Sequence, residues 1–218
     1  MPSLTPAPSC RRLFLRRLIT LAGAAWLTGC RLAPHSSAVE MVDRHDLQEW
    51  RQLIRLIDER LEVAPLVAKS KWNSGASIDD PARERQILDD VVRRAMEAGL
   101  DPALATRFFQ AQFDAGKLVQ RRLHAQWRAQ QRGPFSPAPD LAREVRPVLD
   151  RLTPQLIAVL QALQPILRQP DAGIRLAAVA ECWRNADADV RAIALQPLLE
   201  AHDQLDEGAE EKPALPAT

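Results

Sequence analysis

The stretch from about Asp43 to Asn73 carries Leu47, Trp50, Ile54, Ile57 and Leu61 at three- and four-residue intervals. That period marks a helix with one apolar side. A run of this length demands a large apolar surface to pack on. Inside the same run lie two cations, Arg60 and Lys71, eleven residues apart. At about 100° per residue they fall roughly 20° from coincidence after three turns, so they share one side of the helix. Val63, Leu66 and Val67 lie between them. Cations on a core-side face are costly unless something anionic pairs with them. The chain must therefore bury a long helix and also supply Arg60 and Lys71 with negative charge. Pro65 removes a backbone donor between the two and is expected to bend the helix locally.

The remainder also reads as helix. Ala, Leu, Arg, Gln and Glu dominate, there is no Tyr, and aromatics make up only 5% of the 218 residues, so strand formers are scarce. After a loop from Asn73 to Asp79, Asp80 followed by Pro81 is a strong helix start, and Gly99 is the matching stop. Asp101-Pro102 repeats the start signal for a helix to about Gln131. Gly133 to Pro139 reads as a rigid linker. From Asp140 onward Val145, Val148, Leu149, Leu152, Leu156, Val159, Leu160 and Leu163 form an apolar stripe interrupted by Pro147 and Pro154. Shorter helices are expected near Ala172–Trp183 and Ala188–His202. The expectation is one all-α domain over residues 42–204, a helical bundle of about six helices with a long kinked first helix. A disordered acidic tail is expected over 205–218.

Residues 1–29 read as an export signal and are set aside from the fold. Arg11, Arg12, Arg16 and Arg17 form a basic segment, and Leu18–Leu27 is apolar but too short to be a lasting membrane span. Leu27-Thr28-Gly29-Cys30 resembles a bacterial lipobox, which would leave Cys30 lipidated. Arg11-Arg12-Leu13-Phe14-Leu15-Arg16 resembles a twin-arginine signal. An ordinary Sec signal with Cys30 as its last small residue is the alternative. The expectation is an exported, periplasmic protein held to a membrane by a lipid anchor through a tether over residues 30–41. With Cys10 removed and Cys30 lipidated, Cys182 is the only thiol, so no intramolecular disulfide can form; it reads as a small buried filler.

The full chain has 29 basic and 28 acidic residues. Without the first 29 residues, which hold four of the Arg and no acid, 25 basic face 28 acidic, or −3. That leaves no global footprint for nucleic acid. There is no Gly-rich phosphate loop and no nucleophile-with-base arrangement. His45, His124 and His202 are isolated and read as surface residues, with no spacing that suggests a metal site; His124, one turn after Gln120, has lining the pocket mouth as its alternative.

From about Val42 to Gln130 a set of short motifs recurs in a fixed order. They are Arg60-Leu61 with Val63-Ala64, Lys71-Trp72, Ile78-Asp79-Asp80 with Arg83-Glu84, Gly99-Leu100-Asp101-Pro102, and Phe108-Phe109 with Ala111-Gln112, followed by Gln120. Together they resemble the all-helical chorismate mutases, in the secreted, monofunctional subclass. Beyond about Asp140 the likeness is vaguer. The resemblance implies an enzyme that rearranges chorismate, a small dianion, to prephenate by a concerted pericyclic shift, without metal or cofactor. A homodimer is one assembly it implies. The alternative is a non-enzymatic helical lipoprotein that kept the fold for binding a partner or ligand.

The resemblance also implies roles. Arg60 matches a carboxylate-binding Arg, suited to a two-point hydrogen bond. Lys71 matches a Lys that donates to the ether oxygen and a carboxylate. Arg83 matches a second carboxylate-binding Arg. Asp80 matches a residue that accepts from the substrate hydroxyl or orients the Lys, and Glu84 an acceptor for that hydroxyl in some members, although an N-cap role explains Asp80 fully and Glu84 could be solvated. Gln120 matches the residue that hydrogen-bonds the ether oxygen. Gln112, two turns earlier, reads as structural. Gly116 stands where relatives often have a side chain touching a carboxylate, so it can help only by making room. The subclass expects one more cation from the fourth helix. Gln155 aligns there, Arg151 lies one turn earlier, and Arg146 is a further candidate. Gly116 and Gln155 favour the non-enzymatic alternative; Arg60, Lys71, Arg83 and Gln120 favour the enzyme.

Overall fold

The computed structural model describes the backbone of residues 36–210 except 182, 184 and 185, and the side chains from residue 44 to 201 within that span. The expected signal, Cys30, Cys182, the His202 side chain and residues 211–218 lie outside what is described. Among the described residues there is no strand. The helices are α1 (Ser36–Glu62), α2 (Ala64–Ser74), α3 (Pro81–Ala98), α4 (Pro102–Ala129), α5 (Leu141–Glu144), α6 (Arg146–Leu163), α7 (Ala172–Ala180) and α8 (Ala188–Glu210), with a 3₁₀ turn at Ile166–Arg168. Counting α1 with α2 across the break at Val63, and α5 with α6 across the break at Val145, the described residues form six rods.

The breaks follow from local chemistry. Pro65 has no N–H to continue the α1 ladder, and the chain restarts with Val63 O accepting from Leu66 N and Val67 N at 3.1 and 3.2 Å. The expected bend is thus a full interruption. Asp80 caps α3, its Oδ1 accepting from Arg83 N at 3.1 Å, and Pro81 occupies the first turn, where a missing donor costs nothing. Gly99 ends α3 in the left-handed region at φ 74°. Leu100 N then reaches back to Ala95 O at 2.9 Å, the double-bonded helix end that glycine permits. Asp101 caps α4 through Ala103 N at 2.9 Å. Such a cap contributes about 1 kcal/mol.

Helix α4 is the central rod, packing against α2, α3 and α8. Phe108 and Phe109 from α4 are fully buried with Trp50, Leu53 and Ile57 from α1 and Leu152, Leu156, Leu160 and Leu163 from α6. The apolar stripes read from the sequence therefore meet in one core. Polar ties fix the packing. Gln112 Nε2 donates to Ala194 O at 2.9 Å, joining α4 to α8, and buried Asp46 accepts from Arg175 at 3.0 Å, joining α1 to α7.

The structure corrects several expectations. Helix α1 begins at Ser36, inside the expected tether, and α8 runs to Glu210, past the expected start of the tail, while α7 stops at Ala180. The linker expected to be rigid is also tied to the bundle. Asn73 holds both backbone groups of Phe135, each at 2.8 Å, and the Phe135 ring packs on Trp127 at 4.6 Å. His124 is half-buried rather than free on the surface. Its Nε2 lies 2.8 Å from Ala68 O, and its ring packs against Trp72 and Trp127, with centroids 5.3 and 5.6 Å away. No helix of the described residues is long and apolar enough to cross a membrane.

Candidate active site

The junction of these rods leaves a cavity of about 290 Å³. The end of α1 contributes Arg60 and Leu61, and α2 contributes Val67 and Lys71. The next loop and the first turn of α3 contribute Ile78, Asp80, Arg83 and Glu84. From α4 come Gln112, Phe113, Gly116, Lys117 and Gln120, at intervals of three to four residues that keep them on one face. The rod α5–α6 closes the far side with Leu141, Val145, Arg146 and Leu149. Five cations and two carboxylates line the space, so its field is positive.

Arg60 is the least compensated of these charges. Among the described residues no carboxylate pairs with it. Its Nε is buried without a hydrogen-bond partner, and its guanidinium sits 5.5 Å from the Phe113 ring centre. Burial pushes its pKa down to about 10. The group remains a cation at neutral pH, and an anion in the cavity would relieve its desolvation. Lys71 Nζ donates to Ile78 O at 2.7 Å, which turns the ammonium along the cavity wall. Burial lowers its pKa, opposed by the charges of Asp80, Glu84 and Asp79. Arg83 is exposed at the rim, its guanidinium donating only to Gln86 Oε1, at a long 3.4 Å.

Gln120 is 8% exposed, and its Oε1 is buried without a partner. Gln112 Oε1 is likewise unpartnered while its amide nitrogen is anchored. Both leave hydrogen-bonding capacity at the cavity wall for a ligand or water. At Gly116 no heavy atom stands within 4 Å of where a Cβ would point, so the missing side chain does leave room.

The family of the chain follows from comparison with known proteins. The type II chorismate mutase family model matches residues 51–121, the span that holds Arg60 through Gln120. A solved chorismate mutase from Burkholderia thailandensis shares the fold at a TM-score of 0.64 with 42% identity, covering 69% of this chain and 98% of that one. The chain belongs to the chorismate mutase family. The secreted chorismate mutase of Mycolicibacterium smegmatis is 36% identical over 121 residues, 54% of this chain and 66% of that protein. That of Mycobacterium tuberculosis is 29% identical over 128 residues, 57% of this chain and 64% of that one. The match thus spans just under two thirds of the length of these secreted relatives.

Within this family member, the structure brings Arg60, Lys71, Asp80, Arg83, Glu84, Gly116 and Gln120 to one cavity. Arg151 and Gln155 do not reach it. Arg151 is exposed and paired with Glu59 on the outside of the bundle, and Gln155 is exposed. The reason is helical phase. Leu149 faces the cavity, and Arg151 lies about 200° around the helix from it. Arg146, which opens α6, is the one of the three candidates that lines the space. Sequence reasoning missed Lys117, whose Nζ pairs with Glu84 Oε2 at 3.0 Å. Its only local signal was Asp114 three residues earlier, which reads as an ordinary helix-surface pair.

Proposed function

We propose that this protein is an exported chorismate mutase that converts chorismate to prephenate. The observation that carries the reading is a cavity wall with more cations than carboxylates, in which buried Arg60 has no anionic partner among the described residues. A dianion fits that deficit. The reaction breaks the ether C–O bond as a C–C bond forms across the folded substrate, with negative charge growing on the ether oxygen. Catalysis then needs a held conformation and a donor at that oxygen. Arg60 and Arg83 take the carboxylates, with Arg146 as the added cation from α6. Lys71 and Gln120 donate to the ether oxygen. Glu84, with Asp80 at the helix cap, accepts from the ring hydroxyl. Gly116 gives the ligand space. Chorismate has an ultraviolet absorbance that prephenate lacks, so incubation with purified protein tests the activity. A folded sample that leaves that absorbance unchanged defeats the reading.

Export is supported by the Arg-rich, apolar N-terminus and by the relatives described as secreted. Lipid anchoring rests on Leu27-Thr28-Gly29-Cys30 alone. Cys30→Ala removes the acylated residue and should move the protein from the membrane to the soluble periplasmic fraction. An unchanged membrane fraction would exclude the anchor.

A further inference from the structure

Lys117 follows Gly116 on α4, and its side chain is only 12% exposed. Its Nζ bridges two helices, lying 3.0 Å from Glu84 Oε2 on α3 and 2.9 Å from Asp114 Oδ1 on α4, with Asp79 at 3.9 Å. The bridge is itself held in place. Gln110 Nε2 donates to Asp114 at 3.3 Å, and Arg121, one turn beyond Lys117, pairs with Asp79 at 2.6 Å. Burial alone would push the ammonium towards neutrality, but hydrogen bonds to Asp114 and Glu84 outweigh it and raise its pKa. Lys117 therefore keeps its charge and has two of its donors committed.

Glu84 is 19% exposed and lines the cavity from the first turn of α3. A carboxylate whose one oxygen accepts from a fixed ammonium loses rotational freedom, and its remaining lone pairs are aimed rather than averaged. The other charges facing it are Lys71 from α2, Asp79 and Asp80 from the preceding loop, Asp114 from α4, and Arg60 and Arg146 across the cavity. Lys117 is the one among the described residues with a direct ion pair to it.

We propose that Lys117 is the positioning residue for Glu84, holding its ionised carboxylate so that the free lone pairs accept the ligand's hydroxyl. This inference rests on the chorismate mutase reading. It gives Lys117 a task in specificity that differs from carboxylate binding, because two of its three donors are already held by Glu84 and Asp114.

The test measures kcat and KM for chorismate, from mildly acidic to mildly basic pH, in the native protein, Lys117→Met, Lys117→Arg, Glu84→Gln and the Lys117→Met/Glu84→Gln double variant. Lys117→Met should lose about tenfold in kcat/KM at neutral pH, the scale of one lost charged hydrogen bond. Lys117→Arg should restore most of the rate. In the Glu84→Gln background Lys117→Met should change little. Should Lys117→Met fail to fold, Lys117→Gln replaces it with the same expectations. A Lys117→Met variant with native kcat and KM overturns the inference, as do losses that multiply in the double variant. A native protein inactive on chorismate refutes the activity itself; an active one with an indifferent Lys117 refutes this inference alone.

Discussion

Residues 43–131 and residues 140–201 pack onto the same core, but they bring side chains to the cavity in different ways. In the first region the site residues sit next to strong local signals: Arg60 and Lys71 flank the proline break, Arg83 and Glu84 follow a capped Asp80-Pro81 start, and Gly116 and Gln120 share a face of one uninterrupted helix. In the second region the single contribution of charge, Arg146, depends on where α6 begins after the break at Val145. Local signals set a residue's phase when they lie within a turn of it. Where the helix start is itself the unknown, an error of a few residues moves a side chain to the opposite face.

If the first region holds the chemistry, its deletions should be the most damaging. Lys71→Ala and Arg60→Ala should each cost about 3 kcal/mol of transition-state stabilisation, roughly a hundredfold or more in kcat/KM, the scale of one lost electrostatic donor. Near-native rates in both would move the chemistry elsewhere and erase the contrast between the regions.

Gln120 sharpens the comparison through pH. Gln120→Glu places a carboxyl where negative charge develops. Ionised, it offers no donor and repels that charge; protonated, it restores the donor. The variant should be poor at neutral pH and recover as pH falls through the pKa of the introduced carboxyl, which should exceed the ordinary value of about 4.3 in this enclosed, anion-binding site. The native protein should be flat around neutrality. It should lose activity on the alkaline side as Lys71 gives up its proton, below the usual lysine range of about 10.4, because burial lowers that pKa. Parallel flat profiles of kcat/KM against pH for both proteins would show that Gln120 does not face the reacting oxygen.

The smallest effects test the second region. Arg146→Ala should raise KM about tenfold, on the order of one exposed charged contact to a ligand. Arg151→Ala, which removes only the surface pair with Glu59, should change kcat/KM by less than about twofold and leave stability nearly unchanged, because exposed pairs are screened by water. If Arg151→Ala were the more harmful of the two, α6 would present a different face to the ligand than the one described here.

Much of this was legible in the residues. The caps at Asp80 and Asp101, the stop at Gly99 and the stripes through Trp50, Phe108 and Leu156 are short-range patterns, and the helices form where they point. Arg60 and Lys71 were placed together by assuming an unbroken helix. The interruption at Val63 alters that geometry, yet both still line the cavity because the two segments continue the same rod. Lys117 was missed and His124 misread for a common reason. Asp114 and Lys117 look like a solvated pair three residues apart, and an isolated His looks like surface, until α3 brings Glu84 to the one and Trp72 closes over the other.

The sequence by itself determined the all-helical class, the order of the rods and the residue types able to hold a small dianion, since these depend on propensity, capping and periodicity within a few turns. Only the tertiary structure decided which cation of α6 reaches the cavity, that Lys117 binds Glu84, and that the linker around Phe135 is clamped by Asn73. Each of these is a contact between residues far apart in the chain, with energies set by packing distance and burial that no local pattern encodes.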